Sequence, residues 1–202
     1  MITSEQFIKL ETLFDYYNKE LFDGKLNDCL INMSRLKGAN GFFSPERWKN
    51  KEKNIHEISL TPQGLDREEK DWQATLVHEM VHLWQNDFGK PSRANYHNKE
   101  WANKMEEIGL IPSSTGFAGG KKTGQKMIHY VDVNGRFIKA FNALKEKKIN
   151  CKPNPEMTLI KKTDNSKTKY ICSCKNKVWG KPDLSIKCLI CGSDFKQVEK
   201  DN

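Results

Sequence analysis

Two histidines one helical turn apart form the part of the sequence with the most direct chemical meaning. The run His78-Glu79-Met80-Val81-His82 places them at positions i and i+4, so on a helix both imidazoles can reach one metal ion. Glu79 is rotated by about 100° from His78 around the helix axis. Its carboxylate can then stand beside a zinc-bound water, whose pKa the metal lowers, and accept its proton. The motif predicts a zinc site with His78 and His82 as ligands and Glu79 as the base for attack on a carbonyl.

A catalytic zinc ion of this kind needs a third protein ligand and one open position. His97 is our preferred third ligand, since it follows His82 by fifteen residues across a predicted loop, which is enough chain to return to the metal. We assign His56 and His129 to strands. The longer metzincin pattern is excluded, because Gln and Phe stand at positions 85 and 88 instead of Gly and His. The competing third ligand is a glutamate, and the candidates are Glu100, Glu106 and Glu107.

Four cysteines near the C-terminus have a second metal-binding spacing. Cys172-x-Cys174 and Cys188-x-x-Cys191 are separated by thirteen residues, and two such pairs on short turns indicate a zinc ribbon. Four thiolates close the coordination sphere, so the pattern predicts a structural zinc ion in addition to the catalytic one. Gly192 suits the tight turn of a metal knuckle. The remaining cysteines, Cys29 and Cys151, lack partners at metal spacing and are expected to be ordinary thiols.

The hydrophobic periodicity predicts the elements that must position these residues. An amphipathic helix over 4–22 is followed by a small, mostly antiparallel sheet with strands at 29–33, 41–48 and 55–60. Helices are expected at 66–88, 97–108 and 137–148, a loop at 112–124 and a strand at 127–133. We predict an α+β metal-binding domain over 1–115, a linker and accessory segment over 116–152 and a basic zinc-ribbon domain over 153–202.

Composition and charge limit the functions that this protein can have. The chain has 202 residues, of which 37% are hydrophobic, which is enough core for one domain and an appendage. No run of about eighteen apolar residues and no apolar signal-peptide region is present, so we expect a cytoplasmic protein with reduced cysteines and no membrane partner. Residues 1–115 carry 15 Lys/Arg and 18 Asp/Glu, whereas residues 116–202 carry 19 and 8.

This excess of positive charge in the second half predicts a polyanion as partner. The alternative is a solvated, lysine-rich tail. Within the predicted ribbon, Trp179 could stack on an exposed base or pack under the ribbon hairpin. The lysines that we expect to meet phosphate there are Lys175, Lys177, Lys181 and Lys187.

The order of these features resembles the SprT-like metalloproteases, the family that includes the Spartan DNA–protein crosslink proteases. The resemblance is carried by Tyr17–Phe22 with Gly24-Lys25-Leu26, by Ile58-Ser59-Leu60, by Ala74–His82, and by His97 before Trp101. It covers about residues 5–110. The terminal cysteines, with Lys177–Pro182 between the pairs, are similar to the ribbon of bacterial and phage-type relatives.

The resemblance implies a minimal zincin fold, zinc held by His78, His82 and His97, Glu79 as base, and peptidase activity on DNA-bound proteins. The family's third histidine is often followed by Gly, whereas Asn98 stands here. Two other functions remain open: a non-catalytic DNA-binding or adaptor protein on a zincin scaffold, and a metallohydrolase unrelated to DNA. Four residues are candidates for stabilising an oxyanion: Arg93, Tyr96, His129 and Tyr130.

Overall fold

The computed structural model describes residues 2–93, 96–147 and 167–198. The chain divides into two compact units, residues 1–159 and 160–202. We call the described part of the first the histidine unit and that of the second the cysteine unit. The three-part division predicted from the sequence stays a prediction. No helix in these described ranges is long and apolar enough to cross a membrane.

The histidine unit is a mixed structure of helices and two small sheets. Its helices are α1 (Ile2–Phe22), α2 (Pro62–Leu65), α3 (Glu69–Phe88), α4 (Lys99–Ile108) and α5 (Arg136–Glu146). Its strands are β1 (Leu30–Met33), β2 (Gly41–Asn50), β3 (Lys53–Leu60), β4 (Leu110–Ser113) and β5 (Ile128–Val131). The helix predicted over 66–88 begins instead at Glu69, because Asp66 is the C-cap of a separate short helix, α2, whose N-cap is Thr61.

The first sheet, predicted to be small and mostly antiparallel, has one antiparallel and one parallel pairing. The strand order is β1-β3-β2, with β2 antiparallel and β1 parallel to β3. Residues 34–40 reverse the chain between β1 and β2, and the β2–β3 hairpin then inserts β3 between them. The central position of β3 agrees with its burial, since Ile58 and Leu60 are at most 1% exposed.

One hydrophobic core unites the four long helices of the histidine unit with the first sheet. Full burial of each large side chain stabilises such a core by about 1.5–3 kcal/mol. Tyr17 of α1 is fully buried, stacks on Phe137 of α5 and donates a hydrogen bond to Gln73 of α3. Residues 128–146 lie in the segment predicted to be accessory to the first domain. In the structure, their elements β5 and α5 pack against this core. β5 pairs antiparallel with β4, a strand whose end fell within a predicted loop.

The cysteine unit is a three-stranded antiparallel sheet in the order β7-β6-β8. The strands are β6 (Thr168–Ile171), β7 (Lys177–Gly180) and β8 (Lys196–Gln197). Turns between them carry the four cysteines. Its buried residues are Tyr170, Cys172 and Cys188, so two of the four thiols take the place of a hydrophobic core.

Candidate metal centres

The three histidines predicted as ligands meet in the structure. One ring nitrogen from each of His78, His82 and His97 lies within 4.8 Å of the others. His82 Nε2 and His97 Nε2 are 3.1 Å apart. Donor nitrogens at such spacing, one from each imidazole, fit a zinc ion held by three histidines.

His78 and His82 occupy one face of α3, as the four-residue spacing requires. His97 lies just before α4, where its backbone forms an isolated bridge with Gly124. Its Nδ1–H donates a hydrogen bond to the Gly124 carbonyl at 3.1 Å, which fixes the ring and leaves Nε2 for a metal. Asn98, the departure from the family's usual Gly, is the N-cap of α4 and accepts from the Trp101 amide. A capping role explains an asparagine at this position.

The glutamates considered as alternative third ligands point elsewhere. Glu100 accepts hydrogen bonds from Gln85 Nε2 and the Lys90 amide, both at 2.7 Å. Glu106 pairs with Lys122, and Glu107 pairs with Lys104 and Arg136. His97 is therefore the third residue that this geometry supports.

Two aromatic side chains pack against the histidine cluster. Trp101 of α4 is fully buried, and its ring centroid lies 4.3, 4.9 and 5.3 Å from those of His97, His78 and His82. Phe43 of β2 lies nearly parallel to His82, with centroids 6.4 Å apart. Burial lowers the pKa of His78 far below its usual value and that of His82 to about 3. Both imidazoles are therefore neutral, which is the form that binds metal.

Glu79 is buried beside the cluster. Burial raises the pKa of its carboxyl to about 8. Gly41, at the start of β2, lies against this side chain: a Cβ on Gly41 would stand 3.0 Å from Thr75 Cγ2 and 3.3 Å from Glu79 Cγ. Because residue 41 has no side chain, the first sheet can approach α3 closely at Glu79, the residue predicted to act as the general base.

His129 makes the contact that sequence reasoning missed. It lies on β5, as predicted. Its Nδ1 is 3.1 Å from Nδ1 of His78, so the two imidazoles are joined by a hydrogen bond. No local signal could have found this pair, because 51 positions separate them and the β4–β5 pairing brings them together. Of the other oxyanion candidates, Tyr130 lines a cavity next to His129, whereas Arg93 stacks on Tyr96.

The four cysteines also converge. One sulfur atom from each lies within 4.8 Å of the others, with Cys172 and Cys174 Sγ at 3.2 Å and Cys174 and Cys188 Sγ at 3.7 Å. Hydrogen bonding, first of all with Ser193, lowers the pKa of Cys191 to about 5. Neighbouring thiols, first of all Cys172, raise the pKa of Cys174 to about 12. This cluster of four sulfur atoms is compatible with a zinc ribbon.

Cys29 and Cys151 were expected to take no part in this cluster. Cys29 is half-buried in the histidine unit, and burial raises the pKa of its thiol to about 12. Cys151 lies outside the described residues.

The predicted DNA contacts divide into two groups. Lys177 and Trp179 lie on one face of β7. On the neighbouring strand β6, Lys169 pairs with Trp179. Ile171 of β6 pairs with Lys177 on one side and with Lys196 of β8 on the other, so all of these residues share one face of the sheet. We call Lys169, Lys177, Trp179 and Lys196 the basic face. Trp179 is 57% exposed, which leaves its ring available rather than packed under the hairpin. Lys175, Lys181 and Lys187 lie in the turns outside the strands.

A comparison with known protein families identifies the family of this chain. A model of the SprT-like family matches residues 10–118, a segment that holds the three histidines, Glu79 and Trp101. The chain belongs to the SprT-like family. This family is associated with zinc metalloprotease activity, which agrees with the cluster of three imidazoles and with the buried Glu79 next in sequence to His78. No match to a curated protein was found.

Proposed function

We propose that this SprT-like protein is a zinc-dependent endopeptidase that cleaves proteins associated with DNA, including proteins crosslinked to it. The observation that supports the proteolytic part is the position of Glu79. It is buried on α3, next in sequence to His78 and one turn from Thr75, and Gly41 leaves room for the first sheet to pass over it. A histidine cluster with a purely structural role has no need of a carboxylate there.

His78, His82 and His97 would hold the zinc ion, with Trp101 packing against all three rings and the Gly124 carbonyl fixing that of His97. Zinc, when bound, supplies Lewis-acid chemistry that polarises a carbonyl and acidifies water. A cation held by the three histidines would favour the ionised form of the Glu79 carboxyl. Glu79 would then accept the proton of the attacking water and deliver it to the leaving amine. His129, hydrogen-bonded to His78, orients that ligand.

The DNA part of the proposal is supported by the basic face of the cysteine unit. Residues 167–198 contain seven lysines and two aspartates, and three of the lysines share one sheet face with the exposed Trp179. Lysines beside an exposed aromatic ring suit the phosphates and bases of single-stranded nucleic acid.

The direct test uses a protein crosslinked to a DNA oligonucleotide as substrate, with Glu79→Gln and Glu11→Gln as a matched pair of variants. Glu79→Gln keeps the side-chain size but removes the base, so cleavage should fall by about a hundredfold or more while zinc stays bound. Glu11 is exposed on α1, and its variant should cleave normally. Undiminished cleavage by Glu79→Gln would contradict the mechanism. DNA binding without cleavage by the unaltered protein would favour the non-catalytic alternative.

A further inference from the structure

A cavity of about 350 Å³ opens beside the histidine cluster, between the first turns of α3 and strand β5. His129 forms part of its wall and also contacts His78 through their Nδ1 atoms. The cavity is therefore separated from the proposed zinc ligands by a single imidazole. The lining residues that matter here are Arg67, Lys70, Asp71 and Tyr130.

Arg67 is held in a fixed position by neutral acceptors. Its Nε donates to the Gly64 carbonyl at 3.1 Å, and its Nη2 donates to the Asp71 carbonyl at 3.1 Å and to Thr75 Oγ1 at 2.5 Å. Burial lowers the pKa of its guanidinium, partly offset by the charge of Asp71, and the group remains a cation. Within residues 2–93, 96–147 and 167–198, Arg67 forms no ion pair with a carboxylate, and its Nη1 donates no hydrogen bond.

The other charged groups leave the cavity with one excess positive charge. Lys70 lines it and forms no ion pair within the same described ranges. Asp71 is the single acid among the lining residues. A half-buried guanidinium with a free donor edge is a strong binding group for carboxylate. Nothing in the described fold of the histidine unit uses that edge.

We propose that this cavity binds a carboxylate of the polypeptide substrate next to the scissile bond, through Arg67 Nη1 and Lys70. The inference rests on the proposed peptidase function, for which it supplies a cleavage-site preference. The carboxylate belongs either to an aspartate or glutamate side chain or to the C-terminus of the substrate. Tyr130, at the same wall, adds a hydroxyl that can donate to it.

The experiment measures binding and cleavage separately. Binding uses the full-length Glu79→Gln protein, loaded with zinc, and amidated peptide pools in which one position is fixed as Glu, Gln or Lys. Each pool is titrated by calorimetry, and a second set carries a free C-terminal carboxylate. Pools with Glu at one position should bind about tenfold more tightly than their Gln counterparts, the size of one charge-assisted hydrogen bond. A preference confined to the free C-terminus would identify the chain end as the source.

Lys70→Glu should abolish or reverse this preference, and Arg67→Gln should weaken it. Lys139→Glu is the matched control, because Lys139 is exposed on α5 of the same unit, and it should keep the preference. Mass spectrometry of the products from an unfolded protein should show Asp or Glu enriched at one position beside the bond cut by the unaltered enzyme.

Equal affinity for Glu and Gln pools at every position, with equal affinity for amidated and free C-termini, would overturn the proposal. So would a preference that Lys70→Glu leaves unchanged. A lack of cleavage by the unaltered protein, with the binding preference intact, would instead refute the peptidase function and leave the carboxylate site standing.

Discussion

The histidine and cysteine clusters lie in opposite structural settings. The histidines are carried by elements that already share a large hydrophobic core, in which Trp101, Leu76 and Met80 are fully buried. The cysteines are carried by turns between strands of two to four residues, and the buried residues of that unit are Tyr170 and two of the thiols themselves. We therefore expect the histidine unit to stay folded when its metal is lost, although its zinc chemistry is lost too. Loss of the metal from the cysteine unit should unfold that unit.

The largest expected effect is the loss of the cysteine unit on removal of one thiol. Cys188→Ser should unfold residues 168–197. The apparent free energy of structural zinc binding is about 10–16 kcal/mol, and this unit buries too little apolar surface to stay folded without it. Amide signals of this unit in a ¹⁵N correlation spectrum should lose their dispersion. Cys29→Ser is the control, and the signals should stay dispersed. A cysteine unit that stays folded in Cys188→Ser would show that its fold does not depend on the metal.

The second expected effect concerns packing around the histidines. Trp101→Ala should lower the free energy of unfolding of the histidine unit by about 3–5 kcal/mol, the cost of emptying a buried indole site. It should also weaken zinc binding there, since the ring contacts all three imidazoles. Urea unfolding measures the first effect. Phe88→Ala is the control, since Phe88 is 51% exposed, and a similar loss in both variants would contradict this account.

The smallest expected effect concerns the role of the cysteine unit in DNA binding. If Lys169, Lys177 and Lys196 each contact a phosphate, affinity for single-stranded DNA should fall about twentyfold between 50 and 200 mM salt. Replacing all three by Gln should remove most of this salt dependence in fluorescence-anisotropy titrations. The matched control replaces the turn residues Lys175, Lys181 and Lys187, which should change the slope less. Equal slopes for both triple variants would remove the basic face as the contact.

Features encoded by local spacing could be predicted from the sequence. The helical spacing of His78 and His82, the approach of His97, the cysteine pairs and the long helices all depend on residues close in the chain or on strong periodicity. The parallel β1–β3 pairing, the β4–β5 pairing and the His78–His129 contact depend on which distant strands associate, which side-chain alternation alone does not specify. For the same reason Lys169 and Lys196 were missed, since only the strand register places them beside Trp179.

We expect the chain to bind two zinc ions, one exchangeable and one structural, and native mass spectrometry of the freshly purified protein counts them. The unaltered protein should carry two zinc ions, and His97→Ala should carry one while the cysteine unit stays folded. Brief chelation should remove the zinc of the histidine cluster first, because three ligands leave its coordination open. A single zinc ion in the unaltered protein, or two in His97→Ala, would contradict the account.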